Sequence, residues 1–523
     1  MPWTFALRRS GRMAAVFFFL TACLAAQETA PAGDPAVREL GEQVRELRTI
    51  VEQMRVENEQ SRAEMRQLRQ ELQETRRMLT PGAAEDRARA ALSANAESSA
   101  APAQNVPAGT PVDLASRVQK LEESTQMLGS KVDEQYQTKV ETASKYRVRL
   151  SGIALMNLFH NVGASDNMDL PSYAEPVQMG TNQANFGATL RQTEIGLEVF
   201  GPTLAGAKSS ANVVFDFAGG FPNANNGVNF GLVRMQTASA RLDWKQTSLI
   251  AGQDSLFISP LSPTSFASLA IPAFGNAGNL WGWIPQVRLE HRFQLSDQQT
   301  VTVQGGILDN LDWEQPATQY FRMAQAGEQS GQPAYAVRTS WSRPMYGHPL
   351  GLGVAGYYGR QNWGWDRYVD AWAAMADWQI PLAPRLSLSG EFYRGRGVAG
   401  LGAAIGQNIL WGGNPLNPFT PIRGVDSAGG WSQLKLQLTH KLEVNGTFAQ
   451  DDVFSSDVLG FTNDADNFGS PIFSRNRGAL GNFVYRPRSD LLLSAEFRRF
   501  HTLTFFDGGN KTNQVNLAMG VLF

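Results

Sequence analysis

From residue 145 onward the chain alternates apolar and polar positions with a period of two. The stretch TNQVNLAMGVLF puts Val515, Leu517, Met519, Val521 and Phe523 on one face of an extended strand. Gln514, Asn516, Ala518, Gly520 and Leu522 fall on the other face. QVRLEHRF separates Val287, Leu289, His291 and Phe293 from Gln286, Arg288, Glu290 and Arg292. LSLSGEF separates Leu386, Leu388 and Phe392 from Ser387, Ser389 and Glu391, and ANVVFDF sets Val213, Phe215 and Phe217 opposite Asn212 and Asp216. No helical periodicity interrupts the series. Sixteen such segments can be placed, centred near residues 154, 195, 213, 239, 252, 290, 304, 338, 355, 374, 391, 435, 447, 482, 496 and 517. Their connections are alternately short (GPTLAGAK, WKQTS, PLAPR, HK, RPRSD) and long, the long ones rich in Gly, Asn and Pro. The pattern predicts an all-β fold: a 16-stranded antiparallel transmembrane β-barrel over 145–523, apolar outside and polar within. An even strand number leaves both ends on the short-turn side. A barrel closes only when its last strand pairs with its first, so the 515–523 strand is expected to lie against the strand near 154.

A different period precedes the barrel. Over 34–79, Val37, Leu40, Val44, Leu47, Val51, Met54, Asn58, Ser61, Met65, Leu68, Leu72, Thr75 and Leu79 keep one heptad register. Glu, Arg and Gln fill the remaining positions. This predicts a coiled coil about 65 Å long. Asn58 at a core position sets register at a cost in stability, and Val at a with Leu at d leans toward two strands. Pro81 ends the helix. Residues 80–112 are rich in Ala, Ser and Pro and are read as a linker. A second heptad helix is expected over 113–138, carried by Leu114, Val118, Leu121, Thr125, Leu128 and Val132. Because the coil precedes the first strand, it is expected on the short-turn, periplasmic side, where it is also a candidate for contact with peptidoglycan.

Residues 1–26 read as a secretory signal peptide: Arg8, Arg9 and Arg12, the apolar run MAAVFFFL, then the small residues of TACLAAQ. Leu20–Cys23 also matches a lipobox, which leaves open whether Cys23 is acylated or removed. Cys23 is the only cysteine, so neither an intramolecular disulfide nor a cysteine metal site is expected. The five histidines are scattered without metal-ligand spacing, and no metal or cofactor is expected. A net charge of -2 offers nothing to nucleic acid. Together these features place the protein in the outer membrane of a Gram-negative-type bacterium, with outer-membrane lipid around its wall.

Sixteen strands enclose a lumen wide enough for water, so something must narrow it. The third long connection, 258–285, holds Phe266, Phe274, Trp281 and Trp283. A loop this apolar either folds into the lumen as a constriction or packs at an oligomer axis. Period two assigns Arg288, Arg292, Arg338, Lys435 and Arg498 to the lumen, with Glu290, Glu391, Glu496 and Asp216 against them. Basic residues lead slightly, and rings of Arg and Lys favour anions. Arg288, Arg292 and Arg338 are the expected carriers of a modest anion preference. The alternative is that these charges only pair with one another.

The order of signal peptide, coiled coil, sixteen strands and a final Phe523 resembles the DcaP-like trimeric porins of the outer membrane. LRQTEIGLEVFGP (190–202), SARLDW (239–244), AGQD (251–254) and NLWGWIPQVRLE (279–290) are similar to that family's barrel segments. The resemblance implies a homotrimer and diffusive passage of small hydrophilic, carboxylate-like solutes. Phe523 with Val521, Met519 and Leu517 also resembles the terminal signal that such barrels present to the barrel-assembly machinery. Two rival classes remain. A barrel enzyme needs a Ser or Asp beside a His at a rim, and His160, His291 and His501 have no partner motif, so no enzyme is expected. An envelope tether would use a plugged barrel as anchor, for which eight strands would suffice.

Overall fold

The computed structural model describes residues 146–523, apart from 178–179, 181, 222–230, 313–321, 460, 462–471 and 506–507. The readings made of residues 1–26, 34–79, 80–112 and 113–138 lie outside the described residues, as do Val37, Leu40, Val44, Leu47, Asn58, Leu68 and Leu72.

The strands follow chain order. β1 is Arg147–Val162; β2 is in two pieces, Ala184–Thr189 and Glu194–Leu204; β3 is Ala207–Asp216, β4 Arg234–Asp243 and β5 Thr247–Ser255. β6 is Trp283–Ser296, β7 Gln299–Leu308, β8 Ala334–Met345, β9 His348–Asn362, β10 Tyr368–Ala383 and β11 Leu386–Arg396. β12 is Asp426–Gln437, β13 Leu442–Val453, β14 Phe473–Arg488, β15 Leu491–Thr504 and β16 Gly509–Leu522. The sheet has 17 segments, and two of them share the same edge of β1 as halves of one strand, which leaves sixteen staves. Each predicted centre falls inside a stave. Each stave pairs antiparallel with its neighbours, and β16 returns to β1 with Ile153 opposite Leu522 and Val162 opposite Asn513. Phe523 extends this closure: the Gly152 amide donates to its carbonyl at 2.9 Å, and its own amide donates to the Gly152 carbonyl at 3.1 Å. Closure leaves no row of unpaired amides and carbonyls, the requirement for a sheet that meets hydrocarbon.

The period-two pattern decides what each wall shows. On β16, Leu517 is 52% exposed and Met519 51%, while Gln514 is 2% and Asn516 1%. A water-soluble sandwich would bury the apolar set. Here the apolar set faces out, as a lipid-facing wall requires.

At one end the turns are tighter than the sequence suggests. β2 runs to Leu204 and β3 starts at Ala207, so only Ala205 and Gly206 turn, both with positive φ (47° and 79°). Tyr346 and Gly347 do the same between β8 and β9, at 52° and 79°. Two positive φ values give the turn twist that suits a hairpin. At the other end lie the long connections, 163–183, 217–233, 256–282, 309–333, 397–425 and 454–472, with shorter ones at 363–367 and 505–508.

Two features depart from the sequence reading. The third long connection ends at 282, because Trp283 and Pro285 already belong to β6. β2 breaks at 190–193, where Thr193 Oγ1 accepts from the Leu155 amide at 3.1 Å and so satisfies a ladder donor that the break would strand.

The barrel lumen as candidate functional site

The connection 256–282 leaves β5, returns in β6 and lies inside the barrel. Its backbone and hydroxyls bond inward-facing side chains around the wall. Leu261 donates its amide to Glu391 of β11 at 2.8 Å, and Ser259 Oγ donates to the same carboxylate. The Thr264 amide donates to Gln433 of β12 at 2.8 Å, and its carbonyl accepts from Asn482 of β14 at 2.7 Å. Ser265 Oγ donates to Glu496 of β15 at 2.7 Å. The Phe266 carbonyl accepts from Asn157 of β1 at 2.8 Å. Gln192, turned inward by the break in β2, accepts from the Leu269 amide at 2.8 Å and donates to the Ala267 carbonyl at 3.2 Å. A segment that starts between β5 and β6 and bonds β11 to β15 crosses the lumen.

The loop's aromatic residues take different places. Phe274 is 1% exposed, holds a positive φ of 64°, and meets Phe500 of β15 edge-on at 5.7 Å. Phe266 packs with Leu269 against Ile153 and Leu155. Trp281 and Trp283 contact edge-on at 5.3 Å, and the Trp281 amide donates to the Leu401 carbonyl at 2.9 Å, which ties this loop to 397–425. Trp283 opens β6 with the Arg234 guanidinium 4.9 Å over its ring, so it is a wall residue and not a loop residue.

The inner wall is not polar throughout, and alternation alone did not indicate this. Ala334, Ala336, Tyr357, Ala371, Ala373, Met375 and Tyr393 face inward from β8–β11 and pack on Leu256, Phe257, Ile258 and Leu280. A second cluster joins Ala273, Phe274 and Ala277 to Trp431, Ala449, Leu480 and Phe500. The loop brings its own apolar surface inside, and the wall it touches matches it. On the β1–β5 side a polar cavity of about 370 Å³ remains, lined by Ser151, Glu198, Ser210, Asn212, Ser239, Arg241 and Asp254 among others.

The charged residues singled out from the sequence all carry partners. Asp216 is fully buried, held by Arg234 and by Gln236 at 2.8 Å. Arg498 and Glu496 are an almost fully buried pair at 2.6 Å. Arg338 grips Asp377 with two donors, at 2.7 and 3.0 Å. Arg288 lies between Asp254 at 2.9 Å and Glu290 at 3.1 Å. Glu290 is also approached by Arg241 at 3.6 Å and Arg292 at 3.8 Å. Glu443 is likewise shared by Lys435 at 3.8 Å and Arg486 at 3.5 Å. The shared acids are recessed: the side chains of Glu290 and Glu443 are 10% and 13% exposed, those of Arg241, Arg292, Lys435 and Arg486 33–40%. Arg241, Glu443 and Arg486 were not singled out from the sequence, although period two places them on the same inner faces.

His160, His291 and His501 fall on the outward face, His291 bonded to Thr247 at 2.8 Å. Among the described residues no group of His, Cys, Asp and Glu is placed to hold a metal ion.

No family model matches the chain, and no curated protein matches it. Solved structures do. The outer membrane channel DcaP of Acinetobacter baumannii superposes on 74% of this chain and 100% of its own, with a TM-score of 0.53 at 13% identity. An anion-selective porin from Comamonas acidovorans covers 72% of this chain and 100% of its own, with a TM-score of 0.43 at 11% identity. OprB of Pseudomonas putida covers 72% and 94%, also with a TM-score of 0.43 at 11% identity. The first of these likenesses shows a DcaP-like porin fold.

Proposed function

We propose that the protein is an outer-membrane porin that passes small hydrophilic solutes by diffusion and prefers anions. The observation that carries this reading is the exposure of the lumen charges. Glu290 and Glu443 are recessed, and each is shared by two cations that reach further into water. At these two clusters a solute in the lumen therefore meets guanidinium and ammonium groups before carboxylates, and such linings select by sign. Arg288 and Arg338 are 11% exposed and saturated by carboxylates, so they hold the wall, while Arg241, Arg292 and Arg486 face the passage. The segment 256–282, with Phe266, Phe274 and Trp281, is the constriction. In this reading the homotrimer is the working assembly, the coil over 34–79 is a periplasmic extension, and Phe523, Val521, Met519 and Leu517 form the strand read by the assembly machinery.

The test is conductance in planar bilayers with a salt gradient. Open channels with an anion-side reversal potential are expected. Replacing Arg241, Arg292 and Arg486 together with Gln should move that potential toward cations without closing the pore. A potential that stays put would sink the anion preference. The two apolar clusters inside the barrel support a second reading, a plugged barrel that anchors the coil. Absence of conductance from correctly folded protein would favour it.

A further inference from the structure

The outward wall carries a charged patch at the long-loop end that a solute passage does not use. β14, β15 and β16 run side by side there. Their registers put Arg477 opposite His501, and His501 opposite Lys511. Arg499 sits two residues along β15 on the same outward face. Directly opposed residues stand about 4.5–5.5 Å apart at Cβ, so Arg477 and Lys511 flank the imidazole from either side, with Arg499 next along its own strand. Arg499 and Lys511 are exposed, and Arg477 and His501 half-buried.

Other rim arginines on this outer face have carboxylates. Arg360 pairs with Asp370 at 3.1 Å, Arg396 with Asp426 at 2.7 Å, and Arg475 with Asp452. Among the described residues, Arg477, Arg499 and Lys511 make no ion pair, and Arg477 donates to the neutral Gln450 at 2.7 Å. Three cations flank His501 with no acid among them, so their mutual repulsion is unrelieved within the chain's described residues and the patch lacks an anion. Its depth says which kind. Below it the same three strands show a band of apolar groups outward, among them Phe483, Leu493, Phe497, Val515 and Leu517, all at least 38% exposed. The patch therefore begins where the apolar band ends, at headgroup level.

We propose that Arg477, Arg499 and Lys511 form a binding site for the phosphate groups of an anionic glycolipid of the outer leaflet, lipopolysaccharide. The guanidinium forks of Arg477 and Arg499 take phosphate oxygens in pairs, and Lys511 adds a point charge. The acyl chains lie down the wall on Phe497, Leu517 and Met519. This rests on the preceding reading only in placing the barrel in an outer membrane with its long loops outward, and it does not need solute to pass.

The test uses the full chain in detergent. Wild type should bind bisphosphorylated lipid A at least about tenfold more tightly than dephosphorylated lipid A, scored by native mass spectrometry. The variant R477Q/R499Q/K511Q should retain at least about tenfold less lipopolysaccharide through purification than wild type, with unchanged single-channel conductance. Equal affinity of wild type for the two lipids overturns the proposal, and this comparison decides the matter should the variant not assemble. Equal lipopolysaccharide retention by an assembled variant also overturns it. So does a change in oligomeric mass with retention intact, because the patch would then face a second copy of the chain. Lipid binding without conductance would leave this site standing and remove the porin reading.

Discussion

Gly478 shows how one missing side chain positions the lumen. It faces inward on β14, and a Cβ there would come within 2.2 Å of Phe274 Cε1. The space lets the Phe274 ring approach the wall and meet Phe500 edge-on. Phe274 itself holds a left-handed backbone at φ 64°, a conformation that costs a non-glycine residue about 1–3 kcal/mol and persists only where its surroundings enforce it. Gly478→Val should displace the ring and destabilise the folded barrel by about 1–3 kcal/mol, measured as a shift in urea midpoint in detergent. In a Phe274→Ala background the same substitution should be nearly neutral, since its contact partner is gone. Equal losses in both backgrounds would place the cost in the strand and not in the loop contact. Gly152 has the matching role on the outer wall. A Cβ there would meet the Glu194 carbonyl at 2.4 Å and the Phe523 ring at 2.8 Å, so the bare backbone lets the last residue close the sheet.

At the scale of elements, the third long connection is held by polar bonds at its middle and apolar packing at its ends. Glu391 holds the loop at two points, accepting from both the Leu261 amide and Ser259 Oγ, and Gln192 likewise holds it at two, Ala267 and Leu269. Glu391→Ala leaves the part-buried Leu261 amide without its partner, at a cost of about 1–3 kcal/mol, while Ser259 Oγ keeps the Leu280 carbonyl at 2.7 Å. That cost falls on the loop and not on β11, whose ladder is intact on both edges. Hydrogen exchange of 259–264 should therefore rise by at least about tenfold while the amides of β11 stay protected. The mean conductance should rise as the loop leaves the lumen. Protection of 259–264 that survives the substitution would show that the apolar clusters alone fix the loop. The break in β2 belongs to this scale too, because it turns Gln192 into the lumen to hold the loop from the other side.

For the whole molecule, closure makes the barrel self-sufficient. Every stave from Arg147 to Leu522 has a neighbour on both edges among the described residues. Deleting residues 34–138 should leave a folded, conducting barrel, because the strands satisfy their own hydrogen bonds. Heat-modifiable migration on gels should persist, and a shorter oligomer lifetime is the expected loss. Disappearance of the heat-modifiable band would mean that barrel formation depends on the coil.

Period two along single segments determined the strands, their number, the lipid-facing set and the inner face of Arg288, Glu290, Arg292, Arg338 and Glu391. Those properties follow from one strand's geometry, which a residue meets within two or four positions of itself. The final strand's need for β1 was legible for the same reason: a sheet in hydrocarbon has only one way to lose its edges. The tertiary structure alone decided which acid faces which base, where β2 breaks, and that the inner wall of β8–β11 is apolar. It also decided that 256–282 runs through the lumen with Trp283 left in the wall. Ser265 meets Glu496 and Phe274 meets Phe500 across more than two hundred residues of chain, and no local pattern records that distance. Charge on a face is a property of the strand. Whether that charge is recessed, as at Glu290, or reaches water, as at Arg292, depends on which staves the closed barrel sets beside it.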